Sequence, residues 1–269
     1  GPGALDMKGG WAIVRAVLAT LDEADVLASL PLVVVSVSDE EVGSPDSAPH
    51  LRRIAQGAAC ALVFESGRAQ DAIITQRRGS GALVAIAHGV AAHAGNQHRE
   101  GKNAVWSLAH FVCGVQALSD YERNATVNVG LIRGGTSRNS VPDQARCEID
   151  VRFASQPDAR EVLDQIAKLA GAAAHAVPGT RIEIEGGIHR LPWERVATSV
   201  ALCAEYAACQ KHAGLGDGEA GLIGGGSDAN TVGALGVPTI DGLGPRGAGF
   251  HTRDEYIELA SLLPKAEAL

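Results

Sequence analysis

The sequence predicts an α/β protein in which a second, smaller α+β domain interrupts the first. Residues 32–37 form a β-branched, apolar run bounded by Pro31, which is typical of a fully buried strand of a parallel sheet. Residues 72–187 predict the order strand, helix, strand, strand, helix, strand, which is the order of a ferredoxin-like unit. We therefore expect one domain to comprise residues 1–71 and 188–269, with the smaller domain at 72–187 inserted into it.

The first part of the larger domain predicts helices alternating with buried strands. A helix is expected over residues 11–24, where apolar side chains recur at helical spacing, and Asp6 is placed to cap it. After the strand at 32–37, a helix at 48–57 and a short strand at 61–64 follow.

Both predicted strands of this part end in carboxylates. Glu40 and Glu41 follow the first strand and Glu65 follows the second. Because ligands bind at the carboxyl ends of the strands in open α/β sheets, this pattern indicates a convergent site. Adjacent carboxylates repel each other unless a cation lies between them or they share a proton, and a bound metal is the commoner solution. The alternative is a solvated acidic loop.

The inserted domain predicts four strands and two helices. The strands are expected at 82–92, 126–131, 145–153 and 181–185, and the helices at 104–118 and 158–173.

The rest of the chain returns to the larger domain. A helix is expected at 193–213, a strand at 237–240 and a terminal helix at 255–269. Between them, Gly224, Gly225, Gly226 and Ser227 form a turn that opens a short helix, and a glycine-dense loop precedes His251.

Composition excludes several classes of protein. The chain of 269 residues has a formal net charge of −8 and no extended cluster of basic residues, which argues against nucleic acid or an acidic membrane as partner. No apolar run reaches the length of a membrane span. The five cysteines are odd in number, scattered and mostly in apolar runs, so we expect buried thiols and a cytoplasmic protein.

Seven short motifs, in order along the chain, together resemble one family, the co-catalytic zinc metallopeptidases. That family includes glutamate carboxypeptidase, acetylornithine deacetylase, succinyl-diaminopimelate desuccinylase and the aminoacylases. The motifs are Asp6-Met7-Lys8-Gly9-Gly10, Asp39-Glu40-Glu41-Val42-Gly43-Ser44, Phe64-Glu65, His93-Ala94-Gly95, Asp150-Val151-Arg152, Gly225-Gly226-Ser227-Asp228-Ala229 and His251-Thr252-Arg253-Asp254-Glu255-Tyr256.

The resemblance implies a zinc-exopeptidase-like catalytic domain with two zinc ions, for which cobalt and manganese are alternatives. Asp6 would bridge both ions, Glu41 and Glu65 would each bind one, and His251 would complete one coordination shell. Glu40 would be the general base that takes a proton from the attacking water and delivers it to the leaving amine.

Further roles are implied for the inserted domain and the glycine-rich turn. In the family the inserted domain forms a homodimer and lends a histidine to the neighbouring active site, and His93 matches that residue. Arg152 resembles the arginine that clamps the substrate carboxylate, and Asn139 resembles a substrate-contacting asparagine. Gly225 and Ser227 would supply backbone donors near the acid group of the substrate.

The expected reaction is hydrolysis of an amide bond in a small N-acyl amino acid or peptide, releasing a C-terminal amino acid. An acetylornithine deacetylase or desuccinylase type of deacylase is the alternative. The family also has an upstream strand ending in His-x-Asp, which this sequence lacks, so the catalytic domain looks N-terminally incomplete. We therefore expect the bare 269-residue polypeptide to be nearly inactive, and a dimerising or binding module is a second alternative.

Overall fold

A computed structural model describes residues 1–269, with seven α-helices and ten strands. The helices are α1 Gly9–Glu23, α2 Ser47–Ala55, α3 Ala104–Gln116, α4 Gln156–Ala176, α5 Ala197–His212, α6 Asp228–Gly233 and α7 Leu262–Ala268. None of them combines the length and the apolar character that crossing a membrane requires.

The strands are β1 Ala61–Leu62, β2 Gly79–His88, β3 Ala92–His93, β4 Thr126–Gly134, β5 Ser140–Val141, β6 Gln144–Phe153, β7 Arg181–Arg190, β8 Thr239–Ile240, β9 Gly247–Ala248 and β10 Tyr256–Ile257. Tertiary contacts divide the chain into one unit of Gly1–Arg77 with Trp193–Leu269 and a second unit of Arg78–Pro192. The boundaries were expected after residues 71 and 187, and the observed boundaries lie a few residues later, after Arg77 and Pro192.

The second unit is an antiparallel four-stranded sheet with two helices. Its strand order is β4-β6-β2-β7, and α3 and α4 pack on the sheet. Alternate side chains of β6 are buried, as expected for a strand with one face on a core. Phe111 of α3 and Phe153 of β6 are among the largest fully buried side chains. The strand–helix–strand–strand–helix–strand order confirms the ferredoxin-like prediction.

Short strands and five helices form the first unit. Strand β1 pairs in parallel with β8, and β9 pairs antiparallel with β10. Ile73, Ile240 and Leu243 form a buried cluster with Cys203 and Tyr206 of α5. The helix predicted at 11–24 is present as α1, but Asp6 does not cap it.

The strand predicted at 32–37 is wrong. Residues 31–37 form no ladder with another strand, and Val33 is 70% exposed. Their apolar side chains predicted burial, but a strand also needs a hydrogen-bonded neighbour and a covering layer. No segment of residues 1–269 lies beside these residues as a partner strand.

Two predicted helices of the first unit begin too early. The helix expected from residue 193 begins at Ala197, because the main chain of Trp193 exchanges two hydrogen bonds of 3.0 Å with Arg77. The helix expected at 255–269 is reduced to α7, because Tyr256 and Ile257 pair with β9.

The prediction of uniformly buried thiols is also wrong. Cys147 and Cys203 are buried, but Cys60, Cys113 and Cys209 are exposed. An apolar sequence neighbourhood does not decide which side of an element faces the core.

Candidate active site

Three predicted metal ligands from distant parts of the sequence converge in the first unit. Nε2 of His251 lies 3.2 Å from Oδ2 of Asp6 and 3.4 Å from Oε2 of Glu41. One ligand atom of each residue lies within 4.8 Å of those of the other two. This spacing allows one cation to contact all three side chains.

The segment that carries Asp6 is held by backbone hydrogen bonds to the carboxylate of Glu255. Asp6 lies in a short helical turn, Ala4–Lys8, next to the fully buried Leu5, and the Asp6–Met7 peptide bond is cis. The N–H groups of Leu5 and Asp6 donate to Oε1 of Glu255 at 2.6 and 3.0 Å, and that of Gly3 donates to Oε2 at 3.1 Å. These bonds hold the pKa of Glu255 below its ordinary value, and the bond from Asp6 has the largest effect.

Glu40 and Glu41 lie in a single helical turn, Glu40–Val42, that ends at Gly43. Gly43 has a φ of 92°, a left-handed conformation that favours glycine. The buried Ser44 follows, and its hydroxyl donates to Oδ1 of Asp228. The neighbouring Asp39 accepts backbone hydrogen bonds from Asp46 and Ser47, so it anchors the start of α2.

Glu65 follows β1 and lines the same pocket, outside the cluster of three ligands. Burial, which has the largest effect, and the negative charges of Asp241, Glu40 and Asp6 raise the pKa of Glu65 to about 9. Carboxylates that repel each other in this way, together with an imidazole, are donors that suit a divalent cation. The residues present therefore fit a metal site.

The pocket has a volume of about 440 Å³ and lies wholly in the first unit. Acidic side chains form one part of its lining and the glycine-rich turn forms another. The lining residues are Asp6, Glu40, Glu41, Glu65, Ser66, Arg68, Arg77, Leu222, Ile223, Gly224, Gly225, Gly226, Phe250 and His251.

Of the two substrate-binding residues expected in the glycine-rich turn, Gly225 lines the pocket and Ser227 does not. Ser227 is buried and caps α6, and its hydroxyl donates to Oδ2 of Asp241 at 2.7 Å. Its backbone N–H donates to Oδ1 of Asn230 at 3.0 Å. Both groups therefore serve the structure of the turn, and a substrate contact of Ser227 stays a prediction.

His93, Asn139 and Arg152 all lie in the second unit. Nδ1 of His93 accepts hydrogen bonds from the N–H groups of Gly95 and Asn96 at 3.2 and 3.1 Å, so Nε2 is the nitrogen left for contacts with other groups. The carbonyl of Asn139 accepts a hydrogen bond from the N–H of Ala94, which brings Asn139 beside His93. The guanidinium of Arg152 pairs with both carboxylate oxygens of Asp150 at 2.9 Å.

Three residues that organise this site were not singled out from the sequence. Glu255 belongs to the last of the seven motifs but was assigned no role, and Arg77 was assigned none either. Asp241 follows a predicted strand as Glu65 does, and β1 and β8 are parallel neighbours. The rule that identified Glu65 therefore applies equally to Asp241.

Comparison with known proteins shows which proteins this chain resembles. The model of the peptidase dimerisation domain of M20 peptidases matches residues 75–178. Carboxypeptidase G2 of Pseudomonas sp. (strain RS-16) is 28% identical over 264 residues, which cover 97% of this chain and 63% of that protein. The uncharacterized protein YqjE of Bacillus subtilis is 27% identical over 266 residues, covering 97% of this chain and 69% of that protein.

A solved structure supports the same fold over nearly the whole chain. Aminopeptidase PepT from Bacillus cereus has a TM-score of 0.81 and 24% identity, covering 98% of this chain and 69% of that one. The Bacillus subtilis YXEP protein, titled a dinuclear metal binding peptidase from the M20 family, has a TM-score of 0.64 and 18% identity, covering 85% of this chain and 60% of that one.

The match to the M20 dimerisation domain and the similarity of fold to an M20 peptidase confirm the resemblance inferred from the motifs. More particularly, the chain is a homologue of carboxypeptidase G2, of whose length it spans 63%.

Proposed function

We propose that this protein is a metal-dependent amidohydrolase that releases a C-terminal amino acid from a small N-acyl amino acid or peptide. The observation that carries the proposal is the convergence of Asp6, Glu41 and His251 on one point, with Glu40 beside them in the same pocket. Asp6, Glu41, His251 and Glu65 would hold two divalent ions, zinc in the first instance. When bound, such ions polarise an amide carbonyl and lower the pKa of water.

The protein's own side chains supply the proton transfers. Glu40 accepts a proton from the attacking water while the water oxygen forms a bond to the amide carbon. The carbon–nitrogen bond then breaks, and Glu40 delivers the proton to the leaving nitrogen, giving a carboxylic acid and an amine. We propose that His93 of one protomer contacts the reacting amide in the neighbouring active site and that Asn139 contacts the substrate. Arg152 would bind the substrate carboxylate, and Gly225 and Ser227 would supply backbone donors near it.

An acidic leaving amino acid is favoured by the names of the relatives. They include the indole-3-acetyl-aspartic acid hydrolase of Enterobacter agglomerans, which is 33% identical over 101 residues. One of the polypeptides of the p-aminobenzoyl-glutamate hydrolase of Escherichia coli is 32% identical over 100 residues. We therefore propose N-acyl glutamate or aspartate as the substrate class.

The second unit is proposed to form a homodimer. Residues 75–178 match a peptidase dimerisation domain, and β4 is an edge strand with one unpaired side. Trp106 on α3 and Ile132 on β4 are each 56% exposed, and a dimer interface that covered them would remove this apolar surface from water. The five free cysteines fit a reducing compartment, and we propose the cytoplasm.

The proposal is tested by metal content and by a substrate panel. The 269-residue chain, with its mass verified, and the full product of its gene are each loaded with zinc. They are then assayed on N-benzoyl-glutamate, N-benzoyl-aspartate and N-acetylornithine. We expect the glutamate and aspartate amides to be hydrolysed by the gene product, and Glu40→Gln to abolish turnover while zinc content stays unchanged.

Glu23→Gln, at an exposed position of α1, is the matched control and should keep the wild-type rate. Preference for N-acetylornithine would instead support the deacylase alternative. Absence of turnover on every substrate in both preparations would support a binding module and overturn the proposal.

A further inference from the structure

A buried arginine lines the pocket beside the glycine-rich turn. Arg77 is only 6% exposed, and its Nε donates to Oδ2 of Asp241 at 2.7 Å. Asp241 is completely buried. A buried guanidinium is retained only where its hydrogen bonds are satisfied, so this pair has a defined geometry.

The same guanidinium holds the glycine-rich turn. Nη1 of Arg77 donates to the carbonyl of Gly225 at 2.9 Å. Oδ2 of Asp241 accepts both from Arg77 and from the hydroxyl of Ser227, the latter at 2.7 Å. Arg77 and Asp241 therefore hold the turn at two points, and the planar fork of an arginine is suited to two acceptors in fixed directions.

Ser227 is also held by the capping box at the start of α6, but the three glycines of the turn have little else to define their conformation. Gly224, Gly225 and Gly226 have no side chains to anchor them, and the bond from Arg77 to Gly225 is the only hydrogen bond of these three residues. Glycine loses more conformational freedom on folding than any other residue, so such a turn requires an external partner to stay in one conformation.

The network continues to the turn that carries the proposed base. Asp228, next to Ser227, accepts a hydrogen bond from Ser44, which follows the Glu40–Val42 turn. The contacts of Ser227 and of the adjacent Asp228 thus connect the turn held by Arg77 to the segment that follows the proposed base, although Arg77 is not a proposed metal ligand.

We propose that Arg77 is a positioning residue that fixes the Gly224–Ser227 turn for recognition of the substrate's acid group. The recognition part rests on the function proposed above, whereas the positioning part is independent of it. Replacing the fork by a single ammonium should release the Gly225 carbonyl and loosen the turn.

Amide hydrogen exchange tests the positioning directly. In Arg77→Lys, the peptide covering residues 223–230 should exchange about ten-fold faster than in the wild type, while the peptide covering β2 should be unchanged. Arg78→Lys is the matched control, because the neighbouring Arg78 does not line the pocket and contacts Thr126 of the second unit. Unchanged exchange at 223–230 in Arg77→Lys would overturn the proposal.

Should Arg77→Lys not fold, the double variant Arg77→Met with Asp241→Leu removes both buried charges and should show the same faster exchange.

Steady-state kinetics test the recognition role, in whichever of the two preparations hydrolyses N-benzoyl-glutamate. KM should rise about ten-fold in Arg77→Lys with kcat within about three-fold of the wild type, because ground-state binding is lost. A fall in kcat at unchanged KM would contradict the recognition role. A wild type without turnover would defeat the proposed function, and the exchange experiment would still decide the positioning role.

Discussion

The backbone N–H of Asp6 donates a 3.0 Å hydrogen bond to Oε1 of Glu255, 249 residues further along the chain. The bond places the first predicted metal ligand against the segment that carries the last one, His251. A carboxylate that accepts several backbone hydrogen bonds is favoured in its ionised form, which agrees with the lowered pKa of Glu255.

Glu255→Gln is expected to destabilise the protein at neutral pH, because the amide nitrogen cannot accept the hydrogen bonds that the ionised carboxylate accepts. The folded-state pKa of Glu255 lies below its ordinary value, so its contribution is complete above that ordinary value and is lost as pH falls through the folded value. Urea unfolding of both proteins at pH 7 and near pH 3 measures the difference in stability, which should shrink in acid. A difference independent of pH would contradict this account, and Glu258→Gln, in an exposed ion pair with Arg246, is the control.

His251→Ala is expected to weaken zinc binding, because His251 contributes one of the three clustered ligand groups. Mutation of the groups that merely orient metal ligands costs about 10–100-fold in affinity, so removal of a ligand itself should cost about 100-fold or more. Competition with a zinc-binding dye measures it. His212→Ala, at the exposed end of α5, should bind zinc as the wild type does, and equal affinity of the two variants would remove His251 from the proposed site.

Metal binding should release a proton from Glu65. The pKa of Glu65 is raised to about 9, first by burial, so in the metal-free protein this carboxyl group carries its proton at pH 7. A bound cation favours the carboxylate, so apparent metal affinity should increase with pH up to about 9. Calorimetry in two buffers of different ionisation enthalpy counts the protons released. Glu65→Gln should release one proton fewer, and an unchanged count would show that Glu65 is already ionised.

Introducing charge on the exposed apolar face of the second unit should produce a monomer. Trp106→Glu together with Ile132→Glu places two like charges where the proposed dimer would bury apolar surface. Sedimentation velocity at several concentrations gives the oligomeric state. Tyr121→Glu alters a residue of the same unit that is 79% exposed, and it should leave the dimer intact. A dimer that persists in the double variant would direct attention to another surface.

The second unit was largely predictable because its signals are local. The alternation of β6 and the capping of α4 by Ser155 are each decided within one element of secondary structure. The boundaries differ by a few residues, and the order of the elements limits the arrangement of an antiparallel sheet to few choices.

The first unit departs from prediction wherever a distant partner decides the outcome. Residues 32–37 have the composition of a buried strand but pair with no strand, and Trp193 forms an antiparallel pair with Arg77 instead of starting a helix. Ser227 was expected to lie near the substrate. Its hydroxyl donates a hydrogen bond to Asp241, which belongs to another part of the sequence.

The sequence by itself determined the two-part architecture, the ferredoxin-like order of the inserted segment and the residue types at the ends of β1 and of the acidic turn. Periodicity and motif order are properties of contiguous residues and can be read along the chain. Only the tertiary structure decided that Asp6, Glu41 and His251 come together. It also decided that Glu255 holds the backbone of Asp6 and that Arg77 and Asp241 hold the glycine-rich turn. Those relations join residues far apart in sequence, and they depend on burial and hydrogen bonding that arise only once the chain has folded.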